Sequence, residues 1–80
     1  MIVEYLNKAM RKAQYKILED DGSFFGEIPD LQGVWANSPT LEGCREELQD
    51  VLEGWILFRV SQGMEIPTVD GLELRYEKVS

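Results

Sequence analysis

Residues 20–48 limit the fold more than any other stretch, because turn signals cut them into short runs before one long amphipathic pattern begins. Asp21-Gly22 marks a hairpin, since the bend needs a positive φ that glycine accepts without a Cβ clash. In the strand expected over residues 23–28, Phe24, Gly26 and Ile28 share one face, and Phe25 and Glu27 the other. Pro29 brings no N–H to a ladder and should end that strand. Gly33 permits a second bend, and Val34-Trp35-Ala36-Asn37 reads as a third short strand. Ser38 and Thr40 are both good helix caps, with Pro39 where a missing N–H does no harm, and the choice between them stays open.

The long pattern predicts a helix over residues 39–62. Leu41, Cys44, Leu48, Val51, Leu52, Trp55 and Phe58 form one stripe; Glu42, Glu46, Gln49, Asp50 and Glu53 lie opposite. Trp55-Ile56-Leu57-Phe58 are apolar in succession, a wider band than one sheet covers, so the first helix or a second subunit is expected over the rest. Gly54 weakens a helix by about 1 kcal/mol relative to alanine, and close approach by a neighbouring backbone would explain it. Gly63 is the expected stop, with Pro67 beyond it.

The flanks complete an α+β arrangement. Ile2, Tyr5, Leu6, Ala9, Met10 and Ala13 recur by threes and fours, which predicts an N-terminal helix within residues 1–13. Alternation then takes over, giving a strand at residues 14–19 and a three-stranded antiparallel meander over residues 14–37. Leu72, Leu74 and Tyr76 alternate with Glu73, Arg75 and Glu77, which predicts a last strand at 72–78. The order is a helix followed by βββαβ, in one domain covering residues 1–80.

Composition narrows the chemistry. There is no histidine, the commonest general base and metal ligand. The one cysteine, Cys44, sits on the apolar helix stripe and reads as a buried thiol in a reducing compartment. With neither an apolar run near the ~20 residues of a membrane span nor a leader pattern, a cytoplasmic chain is expected. The net charge is −7, and its placement matters more than its sum. Lys8, Arg11, Lys12 and Lys16 crowd the start, whereas residues 17–38 carry Glu19, Asp20, Asp21, Glu27 and Asp30 without a base. Such a middle repels phosphate backbones and attracts a basic protein, or it simply solubilises the surface. Asp20, Asp21 and Asp30 have a further reading as a divalent-cation cluster, against the plainer one that they shape turns.

Asp21-Gly22-Ser23-Phe24-Phe25-Gly26, Ile28-Pro29-Asp30-Leu31-Gln32-Gly33 and Thr40-Leu41-Glu42 together resemble the HicB antitoxin family over roughly residues 14–62. Asn37-Ser38-Pro39 and Gly43-Cys44 depart from its usual pattern in cap and packing positions. The chain also ends at Ser80, without the DNA-binding extension many members carry, so direct nucleic-acid binding is not expected. The resemblance implies a truncated RNase H-like core without nuclease chemistry, assembled as a dimer or tetramer. It also implies a partner: a small basic HicA toxin that cuts mRNA with a histidine and whose active surface the antitoxin covers.

No enzyme activity, cofactor, metal or membrane association is expected. Candidate partner contacts are Asp20, Asp21, Glu27, Asp30 and Trp35, and candidate oligomer contacts are Trp55, Ile56 and Phe58. The alternatives are a homo-oligomeric HicB-like interaction protein without a toxin and, further behind, a metal-dependent nuclease.

Overall fold

Helix α1 (Ile2–Arg11) opens the computed structural model, which describes residues 2–69. Glu4 in its first turn and Lys8 and Arg11 in its last complement the helix dipole. Tyr5 and Ala9 are buried in the core, with Leu6 and Met10 packed at its margin. Bonds from the Lys12 and Ala13 amides to the Ala9 and Met10 carbonyls tighten its end before the chain turns extended.

Strands β1 (Gln14–Ile17), β2 (Phe24–Glu27) and β3 (Trp35–Ser38) form an antiparallel sheet in the order β1-β2-β3. β1 starts at Gln14 as expected, and the other strand ends differ from the sequence reading by one or two residues. Leu18 and Ser23 close the first turn, the Leu18 amide donating to the Ser23 carbonyl at 2.8 Å, so β1 ends sooner than residue 19. Gly22 sits there at φ 71°, the conformation its sequence position called for. At the second turn the Leu31 amide bonds the Ile28 carbonyl and the Val34 amide the Leu31 carbonyl. Val34 is therefore spent on the corner, and β3 starts at Trp35. Leu31 turns inward from that corner and is buried with Ile28 and Val34, so the bend is part of the core.

Helix α2 (Leu41–Ser61) follows, and the structure settles its cap. Thr40 is extended, and its Oγ1 accepts from the Gly43 amide at 3.0 Å. Ser38 closes β3, its Oγ accepting from the Thr40 amide. Gly43 makes this possible, because a Cβ there would stand 2.5 Å from Ser38 Oγ and 2.8 Å from Thr40 Oγ1. The helix stops as expected at Gly63 (φ 69°), with the Met64 amide on the Arg59 carbonyl and the Gly63 amide on that of Val60.

The buried row of α2 is Cys44, Leu48, Leu52 and Ile56, which steps by four and so drifts around the helix. This corrects the sequence stripe at both ends: Leu41 and Phe58 are exposed, and Ile56 is fully buried. Gly54 is corrected too. A Cβ there would meet nothing within 4 Å, so no close backbone approach within the described residues accounts for it. α2 packs over β2 and β3 and against α1. The segment after it returns to α1, where Tyr5 Oη donates to the Pro67 carbonyl and Val69 is buried. Burial raises the Tyr5 pKa, with Arg59 opposing. The strand expected at 72–78 lies outside the described residues.

Candidate partner-binding surface

With α2 on one side of the sheet, alternation sends Lys16, Phe25, Glu27, Trp35 and Asn37 to the other. Phe25 and Trp35 stack there with ring centroids 6.0 Å apart and planes 23° from parallel. Lys16 Nζ lies 5.2 Å from the Phe25 centroid, a cation–π contact. Glu27 pairs directly with Trp35 across β2 and β3. Trp35 is 56% exposed, unusual for so large an apolar side chain.

The fold divides the candidate carboxylates. Asp20 and Asp21 sit in the β1–β2 turn, whereas Asp30 sits in the β2–β3 turn at the opposite end of the meander. Glu27 and Trp35 are brought together near the Asp30 end. The convergence of Asp20, Asp21 and Asp30 needed for a cation cluster does not occur, and no metal-holding group of three is found among the described residues. Asp21 has local work: its Oδ1 accepts from the Ser23 amide at 2.9 Å. Hydrogen bonds from the Ser23 side chain and backbone hold its carboxyl below the usual aspartate range. Asn37 Nδ2 ties the same turn to β3 by donating to Ser23 Oγ and the Phe24 carbonyl.

Two other surfaces stand out. Because α2 covers β2 and β3, the inner side of β1 opens into a groove of about 690 Å³ whose lining includes Met10, Ala13, Tyr15 and Leu41. The Tyr15 ring leans over Gly26, where a Cβ would stand 2.8 Å from it. At the end of α2, Leu57 and Phe58 are 65% and 60% exposed. Of the three residues expected at an oligomer contact, only Phe58 is fully on the surface. Trp55 is half-buried with the Arg59 guanidinium 4.4 Å over its ring, and Ile56 belongs to the core.

A model of the UPF0150-like family matches residues 4–67, which takes in the three strands, α2 and all but the first two residues of α1. The chain belongs to the UPF0150-like family. A crystal structure of TTHA0281 from Thermus thermophilus is similar to it, with a TM-score of 0.88 and 36% identity over 96% of this chain and 95% of that one. No match is found among curated proteins.

Within this UPF0150-like chain, the residues that sequence reasoning missed are Lys16, Phe25 and Leu57. Alternation already put Phe25 beside Glu27 and away from the helix, so its place on the open face was available. Leu57 was hidden by its neighbours in an apolar run whose members face different ways. Cys44 follows expectation: buried, with Sγ 3.6 Å from the Ala36 carbonyl, and its pKa raised by burial and by Glu47. No helix among the described residues is long and apolar enough to cross a membrane.

Proposed function

We propose that this UPF0150-like chain is a HicB-type antitoxin, a binding protein that occludes a small basic HicA-type mRNA-cleaving toxin. The observation that carries this reading is the open sheet face, where exposed Trp35 stands beside Glu27 with Asp30 in the adjoining turn. Exposed aromatic residues are the preferred anchors of protein interfaces. Acidic neighbours give the surface the charge that a basic, RNA-binding partner is built to meet. The family match and the HicB-like motif support the same reading.

The test is capture of partners on the full chain at low salt in its host, followed by an RNA-cleavage assay on whatever basic protein elutes at high salt. Cleavage by that protein, suppressed when the chain is added back, is the expected outcome. A basic partner that cuts no RNA, or whose cutting the chain leaves unchanged, overturns the antitoxin role. The exposed pair Leu57 and Phe58 favours a second reading, a homo-oligomeric interaction protein without a toxin. Recovery of only the chain itself, under conditions that express a toxin gene, would favour it.

A further inference from the structure

We propose that Trp35 and Glu27 form a receptor for an arginine guanidinium presented by the basic protein partner. The inference rests on the reading of this chain as the binder of such a protein, and it specifies the chemistry of contact.

Two aromatic rings of the protein carry a cation of their own. Lys16 lies over Phe25 at 5.2 Å and Arg59 over Trp55 at 4.4 Å. Trp35 is the most exposed of the three, and among the described residues no cation lies over it. Indole is the strongest cation–π acceptor of the side chains. Phe25 stacks beside the indole and limits its movement, while Glu27, opposite Trp35 in the β-ladder, supplies a carboxylate within side-chain reach. A ring face and an adjacent carboxylate suit a planar guanidinium, which stacks and donates in a fork, better than a compact ammonium.

Charge selects the occupant. Open sheet faces with exposed aromatics also stack single-stranded RNA bases, but those platforms combine the rings with a basic groove. Here Lys16 is on the far strand beside Phe25, whereas Glu27 adjoins the indole and Asp30 follows in the next turn. The side of the patch that offers Trp35 therefore favours a cation.

The experiment titrates the ¹⁵N-labelled full chain with a synthetic peptide alternating arginine and glycine, following the two tryptophan indole N–H signals by NMR. Matched peptides carrying lysine or citrulline, and an oligouridine, are run in parallel. The arginine peptide should shift the Trp35 signal and spare that of Trp55, whose ring is already under Arg59. Lysine should bind more weakly and citrulline not at all. Trp35→Leu, read on backbone amides of the same face, and Glu27→Gln should each weaken binding roughly 3- to 10-fold. An unchanged Trp55 signal checks that each variant stays folded. Equal titration by the lysine and arginine peptides, no effect of either substitution, or a Trp35 shift caused by oligouridine overturns the receptor. If a toxin partner binds Trp35→Leu as tightly as the parent chain, the receptor fails and the antitoxin reading stands. If the arginine peptide titrates Trp35 but no basic protein partner exists, the guanidinium site itself stands, while its assigned occupant and the antitoxin reading fail.

Discussion

Gly26 and Gly54 both interrupt regular elements, yet an added methyl group meets different surroundings at the two sites. At Gly26 it would press on the Tyr15 ring at 2.8 Å and on Cys44 Sγ at 3.1 Å, between sheet and helix. At Gly54 it enters open space. Gly26→Ala should therefore destabilise the fold by about 1–3 kcal/mol through overpacking. Gly54→Ala should stabilise it by about 0.5–1 kcal/mol through helix propensity alone. Urea denaturation midpoints of both variants check the opposite signs. Asp21 gives a pH dependence. Its folded pKa lies below the ordinary aspartate value, so the unfolded chain takes up the proton first as pH falls. The stability it contributes is present above the ordinary value and is lost as pH drops through the depressed one. Asp21→Asn should flatten the acid limb of a stability–pH profile, measured by urea unfolding from neutral to acid pH.

At the scale of elements, α2 shows what periodicity reveals and what it leaves out. Leu48, Leu52 and Cys44 were legible as core because each repeats the helical period and each is buried. Ile56 was not, because it sits among four consecutive apolar residues and only the direction of the buried row says which one faces inward. Packing over β2 and β3 decides that direction, and it is non-local information. The caps were half legible in the same way. Serine and threonine both announce a helix start, but Gly43 leaves room for the two hydroxyls to serve in sequence, one ending the strand and one starting the helix. The open face of the sheet was readable as alternation, while the stacking of Phe25 on Trp35 depends on a register that the sequence does not state. Leu48→Ala should cost about 2–5 kcal/mol, a large part of a small domain's stability. Leu57→Gln with Phe58→Gln should change stability by no more than about 0.5 kcal/mol per site in an isolated chain. Thermal melts give the first comparison. Sedimentation of the double variant, compared with the parent, shows whether that surface is covered by another copy.

Taken whole, the molecule is a run of sequence neighbours that is closed from outside. β1, β2, β3 and α2 follow one another and pack in that order, each against the element just made or the one before it. Asp20 and Asp21 occupy the turn at one end of the meander and Asp30 the turn at the other, so the sheet carries negative charge at both of its ends. The contact between α1 and the segment that follows α2 is different in kind. Tyr5, buried on α1, reaches the Pro67 carbonyl across a separation of 62 residues. Closing so long a loop costs entropy that nearby strand pairs do not incur. The consequence is kinetic. The meander and α2 can assemble through short-range contacts while α1 and the tail dock late, after the rate-limiting step. Tyr5→Phe should then leave the refolding rate almost unchanged and accelerate unfolding, with nearly all of its destabilisation appearing in the unfolding arm of a stopped-flow chevron. A matching slowdown in refolding would place the contact between Tyr5 and Pro67 in the nucleus. If unfolding alone responds, the buried tyrosine hydroxyl is a latch on lifetime: it sets how long the native state persists, and has little part in how quickly it is found.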